Sequence, residues 1–434
     1  MNNKKSPRFW TALVIFSLVG QIAWVVENMY FNVFIYKMFN ADESAISAMV
    51  SASAIAATLT TVFMGALSDK IGKRKLFICG GYILWGVSIG AFALLRADVI
   101  TALFPAVTSA AAVGISLVII LDCVMTFFGS TANDACFNAW LTDSTEEGGR
   151  GAAEGINAMM PLVAILAVFG GFMAFNLDKA ESWTAIFLII GVAVTIIGVL
   201  GIFLIKDAPH INKSEGGMFA NILYGFKPSV IKANPMLYFA LVGFALFGIS
   251  IQIFMPYLII YYEKGLQMAD YVLIMAPAII IASVVTALYG RFYDKVGFTK
   301  SIFPALATLC LGYVFLFFFK STLPVFIGSL LMMCGYLSGA AVFGAVIRDC
   351  TPIGKAGRFQ GLRIVAQVLI PGVVGPAISV AVLKNAPLIT NNDGTTSFVP
   401  NESIFLAALV AAVVLALFLL LKKFVKQKAE VQNG

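Results

Sequence analysis

Apolar segments of roughly 20 residues recur along this whole 434-residue chain. A helix of that length crosses about 30 Å of hydrocarbon. Hydrophobic residues make up 60% of the sequence and charged residues 12%, which leaves too little polar surface for a soluble protein of this size. A transmembrane β-barrel would instead show short segments of alternating polarity. The sequence therefore predicts a polytopic α-helical membrane protein.

The apolar pattern predicts twelve membrane spans. They are 9–38, 44–67, 76–95, 110–141, 156–177, 183–205, 236–262, 267–289, 301–319, 323–347, 361–384 and 402–421. The span 110–141 is too long for a straight crossing, so we expect it to be tilted or to extend beyond the membrane. The first apolar stretch is too long for a cleavable signal peptide, and no small-residue cleavage site follows it.

Basic residues are distributed unevenly between the two sides that these spans define. If both termini lie in the cytoplasm, the outer segments hold only six of the 29 basic residues: Lys37, Arg96, Lys179, Lys264, Lys320 and Lys384. Cytoplasmic loops of membrane proteins carry such an excess of Lys and Arg. We therefore expect a multi-pass protein of the inner (plasma) membrane with both termini cytoplasmic. The net charge of +7 then reflects topology and predicts no nucleic-acid partner.

A short charged motif occurs twice. The first copy, residues 65–75, reads GALSDKIGKRK, and the second, residues 290–300, reads GRFYDKVGFTK. Gly, Asp, Lys, Gly and Lys recur 225 residues apart, and the pairs most relevant to gating are Gly65 with Gly290, Asp69 with Asp294 and Gly72 with Gly297. A chain that repeats a charged hinge in this way has two similar halves, an arrangement that many transporters use to expose one site to either side.

A looser repeat supports this division. Asp143 and Arg150 lie between the fourth and fifth spans, and Asp349 and Arg358 lie between the tenth and eleventh. We therefore predict an N-terminal six-helix bundle (1–205), a cytoplasmic connection (206–235) and a C-terminal six-helix bundle (236–434) that ends in a short cytoplasmic tail.

Two of the connections between spans are long enough for their composition to predict their structure. Within the long inner connection, Met218 to Phe226 is mildly amphipathic, which suits either a helix on the membrane surface or a plain tether. The lone histidine, His210, is predicted to be a solvated residue of that connection. The outer loop 385–401 is rich in turn-forming residues, so we expect it to be mobile.

The twelve spans, the long central connection and the duplicated Gly-x-x-x-Asp-Lys-x-Gly-x-x-Lys motif resemble the major facilitator superfamily over the whole chain. This resemblance implies an all-α membrane protein with twelve transmembrane helices in two pseudo-symmetric six-helix bundles that rock about a central cavity. It implies a secondary transporter rather than an enzyme. It also implies that Asp69 and Arg74 latch the inner side. No glycine-rich phosphate-binding run is present, which agrees with the absence of a nucleotide cofactor.

Within that superfamily, the segment 134–143, DACFNAWLTD, is similar to the glycoside-pentoside-hexuronide:cation symporters. The resemblance implies a cation- or substrate-binding role for Asp134, with Phe137 and Arg150 at the positions of a following aromatic and a loop arginine. The aspartates that help to hold sodium in those symporters correspond here to Ala57 and Thr61, so only the role of Asp134 transfers.

Three acidic residues lie inside predicted spans, namely Glu27, Asp122 and Asp134. Charged groups in a membrane are expensive and usually functional. Asp134, flanked by Asn133 and Asn138, could bind a cation, hold a sugar hydroxyl or carry a proton; the alternative is a structural pair with a neighbouring Arg or Lys. Asp122 lies about 18 Å further along the helix axis, so it cannot share an ion with Asp134. It belongs either to an outer gate or to a structural pair.

The first predicted helix carries Gln21, Trp24, Asn28 and Asn32 at spacings of three, four and four, which predicts a single polar face flanked by Glu27. Amides both donate and accept hydrogen bonds, and aromatic rings stack on sugar faces, so this face suits a hydroxylated ligand. The alternative is that the amides bond neighbouring helices together.

The second half offers Gln252, Tyr257, Tyr261 and Gln367 as further candidates for substrate contacts. No basic residue lies deep in a span, so we expect a neutral or weakly charged substrate. Six scattered cysteines without a CxxC pair predict neither disulfides nor a metal site.

The resulting hypothesis is cation-coupled symport of a glycoside or another small polar solute by alternating access. The coupling cation is H⁺ or Na⁺, with H⁺ favoured, and no other cofactor is expected. We expect a monomer whose partners are the solute and the lipid bilayer. One alternative is proton-driven export of an amphipathic compound, since the chain holds 37 phenylalanines. A non-transporting membrane receptor is the third hypothesis.

Overall fold

The computed structural model describes residues 6–106, 109–145, 147–207, 223–352, 356–391 and 394–420. The chain divides into two compact units, Met1–Asn221 and Ile222–Gly434. This division falls within the connection 206–235 that the sequence predicts.

Six long helices form the described part of the first unit. They are α1 Pro7–Phe39, α2 Glu43–Ile71, α3 Arg74–Leu94, α4 Ala110–Asp143, α5 Glu147–Phe172 and α6 Ala180–Leu204, and a short helix, Ala97–Leu103, precedes α4. Local sequence sets the ends of α2. Asp42 Oδ1 accepts a hydrogen bond from the backbone N–H of Ala45, 2.7 Å away, which caps the first turn. Gly72 ends the helix in the left-handed conformation at φ 72°.

Two helices of the first unit contain π-helical turns. In α1 the segment Val26–Tyr30 is π-helical, and in α4 the segment Ser130–Phe137 is π-helical. Such segments widen the helix and often occur at functional sites. Here they hold Glu27 and Asp134, two of the three acids predicted inside spans.

The second unit is built in the same way. It contains α7 Pro235–Gly265, α8 Tyr271–Phe318, α9 Thr322–Cys350, α10 (356–383) and α11 Ser403–Leu420, preceded by a 3₁₀ turn, Tyr224–Phe226, and a short helix, Pro228–Ala233. A 3₁₀ turn, Met255–Tyr257, and a π segment, Tyr261–Gly265, interrupt α7, while α10 contains the π segment Val365–Leu369.

The helices account for the predicted spans. Ten described helices are long and apolar enough to cross a bilayer. The run α8 holds two predicted spans, because Gly297 breaks it with φ 73° and ψ 179°. The predicted span 156–177 corresponds to the shorter apolar part of α5, Ile156–Phe172. The all-α membrane fold is therefore confirmed.

Part of the loop 385–401 forms a regular hairpin, which the sequence analysis did not predict. Strands β1, Leu388–Thr390, and β2, Thr396–Phe398, pair antiparallel, with Leu388 opposite Phe398. Asn391 Nδ2 donates to Ser397 Oγ at 2.7 Å, which ties the turn to β2. The many turn-forming residues of this loop favoured an irregular loop, although β1 and β2 contain branched and aromatic side chains that favour strands. His210 and most of Met218–Phe226 lie outside the described residues.

Aromatic packing in the first unit fixes α1 against α3. The Phe16 and Tyr82 rings lie 4.8 Å apart, and the Trp24 and Trp85 rings lie 4.9 Å apart. Such pairs contribute about 0.5–1.5 kcal/mol each beyond the area they bury. They hold the Trp24 indole in a defined orientation beside α4.

Candidate functional site

Asp134 lies half-buried in the π segment of α4. Ser130 Oγ, one turn earlier on the same helix, donates to Asp134 Oδ2 at 3.0 Å. The Trp24 indole is a neighbour of this carboxylate. Among the residues that the structure describes, no Lys or Arg forms an ion pair with it. The side chain is therefore held by neutral donors, and the alternative of a structural pair with a base finds no partner in the described part of the chain.

Asn133 belongs to a buried structural network. Its Nδ2 donates to Tyr82 Oη at 2.7 Å, and Tyr82 Oη donates to the Phe16 carbonyl at 2.7 Å. Trp24 Nε1 lies 3.4 Å from Asn133 Oδ1. The side chain is only 3% exposed. Because both polar atoms of the nearly inaccessible amide bond within the fold, Asn133 positions α1, α3 and α4.

Phe137 and Asn138, the other two residues predicted near the Asp134 site, differ in burial. Phe137 is 1% exposed, and its ring lies 5.6 Å from that of Trp140 in a stacked arrangement. It is a core residue, so direct contact with a solute is not supported. Asn138 is exposed, and its Nδ2 donates to the Asp134 carbonyl at 3.1 Å.

The four residues of the single polar face predicted for α1 differ in exposure. Asn28 is exposed, whereas Asn32 is fully buried, and Gln21 and Trp24 are half-buried. The prediction assumed regular α-helical spacing, which the π segment Val26–Tyr30 interrupts. Asn28 Nδ2 donates to the Trp24 carbonyl at 2.8 Å, and Asn32 Nδ2 donates to the Asn28 carbonyl at 3.1 Å. The amides therefore bond their own helix.

Glu27 lies in a second polar cluster, which we name the Glu27 cluster and define as Glu27, Ser53, Asp122 and Thr126. Glu27 Oε1 accepts hydrogen bonds from Ser53 Oγ at 2.6 Å and from Thr126 Oγ1 at 3.0 Å. The two hydroxyl oxygens are themselves 3.0 Å apart. Asp122 interacts electrostatically with Glu27, so an acid is among its neighbours.

The first copy of the repeated motif is organised around Arg74. Its guanidinium bonds Asp69 and Ser68 of α2, and its Nε lies 3.1 Å from Asp143 Oδ2 of α4. Arg74 is 3% exposed. One buried base thus joins the ends of three helices. At Gly65 an added Cβ would lie 3.8 Å from that of Ala135 on α4, an ordinary van der Waals contact.

The second copy is more open. Asp294 is exposed, and an added Cβ at Gly290 or Gly297 would meet no atom within 4 Å. Tyr293 Oη donates to Asp349 Oδ2 at 2.6 Å. The side chains of Arg150 and Arg358 lie outside the described residues, so their predicted gating roles stay predictions.

The candidates of the second unit divide by burial. Gln252 is half-buried on α7, and Gln367 is exposed in the π segment of α10. Tyr257 is fully buried, with its ring 6.1 Å from that of Phe398 in the hairpin. Tyr261 is 1% exposed and donates to the Leu316 carbonyl at 3.3 Å. Both tyrosines are packing residues, which leaves the two amides as possible solute contacts.

Sequence reasoning missed Ser130, Ser53, Thr126 and Tyr82. The spacing of four residues between Ser130 and Asp134 was a readable signal, since such residues are neighbours on a helix. The other three act across helices, and nothing in their local sequence marks them.

Comparison with known proteins agrees with this architecture. The sequence model of the Major Facilitator Superfamily matches residues 9–376. The chain belongs to this superfamily. Its members are transporters rather than enzymes, so the expectation of a non-enzymatic multi-pass membrane protein is confirmed.

Individual relatives of this superfamily member are distant. It is 24% identical over 203 residues to sugar efflux transporter B of Salmonella typhimurium (strain LT2), and the match covers 46% of the chain and 47% of that protein. The chain thus spans about half the length of the curated relative that it matches. A bacterial homologue of the human lysosomal transporter Spinster, crystallised inward-facing and occupied, superposes with a TM-score of 0.71 at 15% identity over 97% of this chain and 98% of that one. The xylose transporter XylE of E. coli gives a TM-score of 0.68 at 14% identity, over 96% and 98%.

Proposed function

We propose that this chain is a secondary active transporter that moves a glycoside or another small polar solute together with a cation. The observation that carries the proposal is Asp134, a carboxylate in a membrane-crossing helix that no described base neutralises. A charged group inside a membrane-crossing helix is costly to keep. A helix that keeps such a group has a use for its charge, its proton or its hydrogen bonds.

The surroundings of Asp134 suit a hydroxylated solute. A carboxylate accepts hydrogen bonds from sugar hydroxyls, and the neighbouring Trp24 offers an aromatic ring for stacking. Ser130 contributes one donor to one carboxylate oxygen, which leaves the remaining lone pairs free for a solute or a cation. The names of two relatives, a sugar efflux transporter and a xylose transporter, favour the same class of substrate.

Asp134 is also the group we propose for coupling to H⁺. A carboxyl group held only by neutral donors can gain and lose a proton without breaking an ion pair. Binding of the solute next to it then favours one protonation state over the other, and this difference links the two fluxes.

Export is the second candidate function, because the curated relative is an efflux transporter. The orientation with both termini in the cytoplasm also stays a proposal, supported by the distribution of basic residues.

The test is transport by purified protein in liposomes. Thermal-shift screening against glycosides, monosaccharides and nucleosides first selects a solute, because a ligand that binds only the folded form raises the melting temperature. Uptake is then measured under an imposed proton gradient of either direction. We expect gradient-driven accumulation in the wild type, and its direction separates import from export.

The decisive variant is Asp134→Asn. Its control is Asp270→Asn, a substitution that removes a carboxylate from an exposed position of the second unit. We expect Asp134→Asn to lower the accumulation ratio by roughly 5- to 150-fold, the range of ordinary coupling free energies. Asp270→Asn should accumulate solute like the wild type. Gradient-driven accumulation that survives Asp134→Asn would remove this residue from the coupling mechanism.

A further inference from the structure

A cavity of about 120 Å³ opens at the end of the first unit that lies opposite the repeated motif. It lies between the last turns of α1 and α3, the short helix Ala97–Leu103 and the first turns of α6. Protein interiors are close-packed, with few voids larger than a water molecule. A closed apolar cavity of about 150 Å³ holds a benzene molecule. This one is open at its mouth, so it has room for an apolar group of about that size.

The walls of the cavity are aromatic and fixed. Phe34 of α1, Phe92 of α3 and Trp183 of α6 line it, and each is at most 2% exposed. The Phe34 and Trp183 rings lie 5.2 Å apart. Trp183 Nε1 donates to the Leu177 carbonyl at 2.8 Å, which sets the orientation of the indole. The cavity is therefore a preformed apolar site, the usual character of small-molecule pockets.

The mouth of the cavity carries more acid than base. Arg96 and Asp98 both line it. Arg96 Nε and Nη2 donate to the two carboxylate oxygens of Asp98 at 3.0 and 3.1 Å, and Nη2 lies 3.8 Å from Glu181 Oε1. One base thus meets two carboxylates, whose side chains are 65% and 74% exposed. A ligand anion would have to displace them from Arg96, whereas a ligand cation finds their remaining lone pairs accessible.

The surrounding surface has the same sign of charge. The described residues at this end of the unit include five acids and three bases, namely Asp42, Glu43, Asp98, Asp178 and Glu181 against Lys37, Arg96 and Lys179. Lys37 Nζ is itself paired with Asp178 at 3.0 Å. An excess of acids around a cleft raises the local concentration of cationic ligands.

We propose that this cavity binds a small lipophilic amine. Its apolar body lies among the aromatic rings, and its ammonium group lies at the mouth beside Asp98 and Glu181. The faces of aromatic rings also attract ammonium groups. The site lies within one unit and shares no residue with the surroundings of Asp134, so it stands or falls independently of the proposed transport mechanism.

The test compares three probes of nearly equal shape by fluorine NMR on the full-length purified protein at neutral pH. They are para-fluorobenzylammonium, para-fluorobenzyl alcohol and para-fluorobenzoate, each also measured in detergent without protein. We expect the ammonium to bind about two- to fivefold more tightly than the alcohol, the range of exposed charge pairs, and the benzoate to bind least. Equal affinities, or tightest binding of the benzoate, would overturn the proposal.

Variants locate the binding. Ala180 lines the cavity, and Ala180→Leu should fill it and abolish saturable binding of the ammonium and of the alcohol. Ala193→Leu makes the same change at an exposed position of α6 and should bind both like the wild type. Ala93→Leu, from the α3 wall, repeats the test if Ala180→Leu folds poorly. Binding that survives filling of the cavity would place the amine elsewhere.

The charge of the mouth is tested separately. Asp98→Asn and Glu181→Gln should each weaken binding of the ammonium about two- to fivefold and leave binding of the alcohol unchanged. An equal loss for both probes would contradict the assigned ammonium contact.

An ethanolamine phospholipid carries the same ammonium group beside a phosphate, which the acidic mouth disfavours. Nanodiscs of phosphatidylcholine with and without phosphatidylethanolamine distinguish this source. We expect the same affinity for the ammonium probe in both. Competition by phosphatidylethanolamine would assign the site to a lipid headgroup and overturn the proposal of a free amine.

Discussion

Arg74 Nε lies 3.1 Å from Asp143 Oδ2, and this contact joins the first turn of α3 to the last turn of α4. The same guanidinium bonds Asp69 on α2. In the second copy of the motif Thr299 occupies the position of Arg74, and Tyr293 that of Ser68. The Tyr293 hydroxyl reaches Asp349, the counterpart of Asp143. Both units thus tie an acid to the repeated motif, one through a buried base and the other through a phenol.

The buried base should dominate the stability of the first unit. Arg74→Gln removes a charge whose side chain is 4% exposed and leaves Asp143, whose side chain is 14% exposed, without this partner. We expect a loss of about 3–5 kcal/mol in the free energy of unfolding, the usual cost of breaking a buried pair. Arg291→Gln, at an exposed position of the second copy, should change it by less than about 0.5 kcal/mol. Equal effects in denaturant titrations would contradict this assignment.

The Tyr293–Asp349 hydrogen bond should contribute less to the free energy of unfolding than the ion pairs of Arg74. Tyr293→Phe deletes one hydrogen bond to a carboxylate at a partly exposed position. We expect a loss of about 0.5–1.5 kcal/mol. A double-mutant cycle with Asp349→Ala isolates the bond, because the Tyr293→Phe change should cost little once Asp349 is absent. Strict additivity of the two changes would show that the bond is not formed in the membrane protein.

Much of this fold could be predicted because a membrane leaves few choices. Within hydrocarbon every backbone polar group must bond internally, so long apolar segments become helices. The sequence repeat also predicted that Gly72 and Gly297 are equivalent, and both residues adopt positive φ at a helix break. The hairpin 388–398 was not readable, since its strands are only three residues long.

The candidate site was predicted less completely, because its geometry depends on features without a sequence signature. The π segment Val26–Tyr30 interrupts the regular spacing of α1, and the sequence pattern does not predict it. Asn133 was assigned to a ligand because it neighbours Asp134, yet adjacent residues point in different directions on a helix. Its actual partner, Tyr82, lies 51 residues away in sequence.

The two glycines of the second motif copy should respond oppositely to alanine. At Gly297, φ 73° with ψ 179° is a conformation reserved almost entirely for glycine. An added Cβ meets no neighbouring atom there, so the cost of Gly297→Ala is purely conformational, about 1–3 kcal/mol. Gly290 is helical with equally open surroundings, so Gly290→Ala should stabilise the protein by about 0.5–1 kcal/mol. Thermal unfolding of both variants provides the comparison, and a stable Gly297→Ala would contradict the break in α8.

Gly20 provides a test of the network that positions Trp24 and Asp134. A Cβ at this position would lie 2.3 Å from Asn133 Nδ2 and 2.6 Å from Tyr82 Oη. Gly20→Ala must therefore displace the amide, and we expect it to cost about 1–3 kcal/mol in the free energy of unfolding. Gly80, on the neighbouring helix α3, meets nothing within 4 Å, so Gly80→Ala should be neutral or stabilising.

The Gly20 substitution can also separate a packing defect from a defect in the site. In the background of Asn133→Ala the clash with the amide is absent, so Gly20→Ala should cost less than in the wild type. If Asn133 positions the elements around Asp134, each of the two single variants should also weaken the thermal shift produced by the selected solute, while Gly80→Ala leaves it unchanged. A Gly20→Ala variant that loses stability but binds the solute like the wild type would show that the network supports the fold alone.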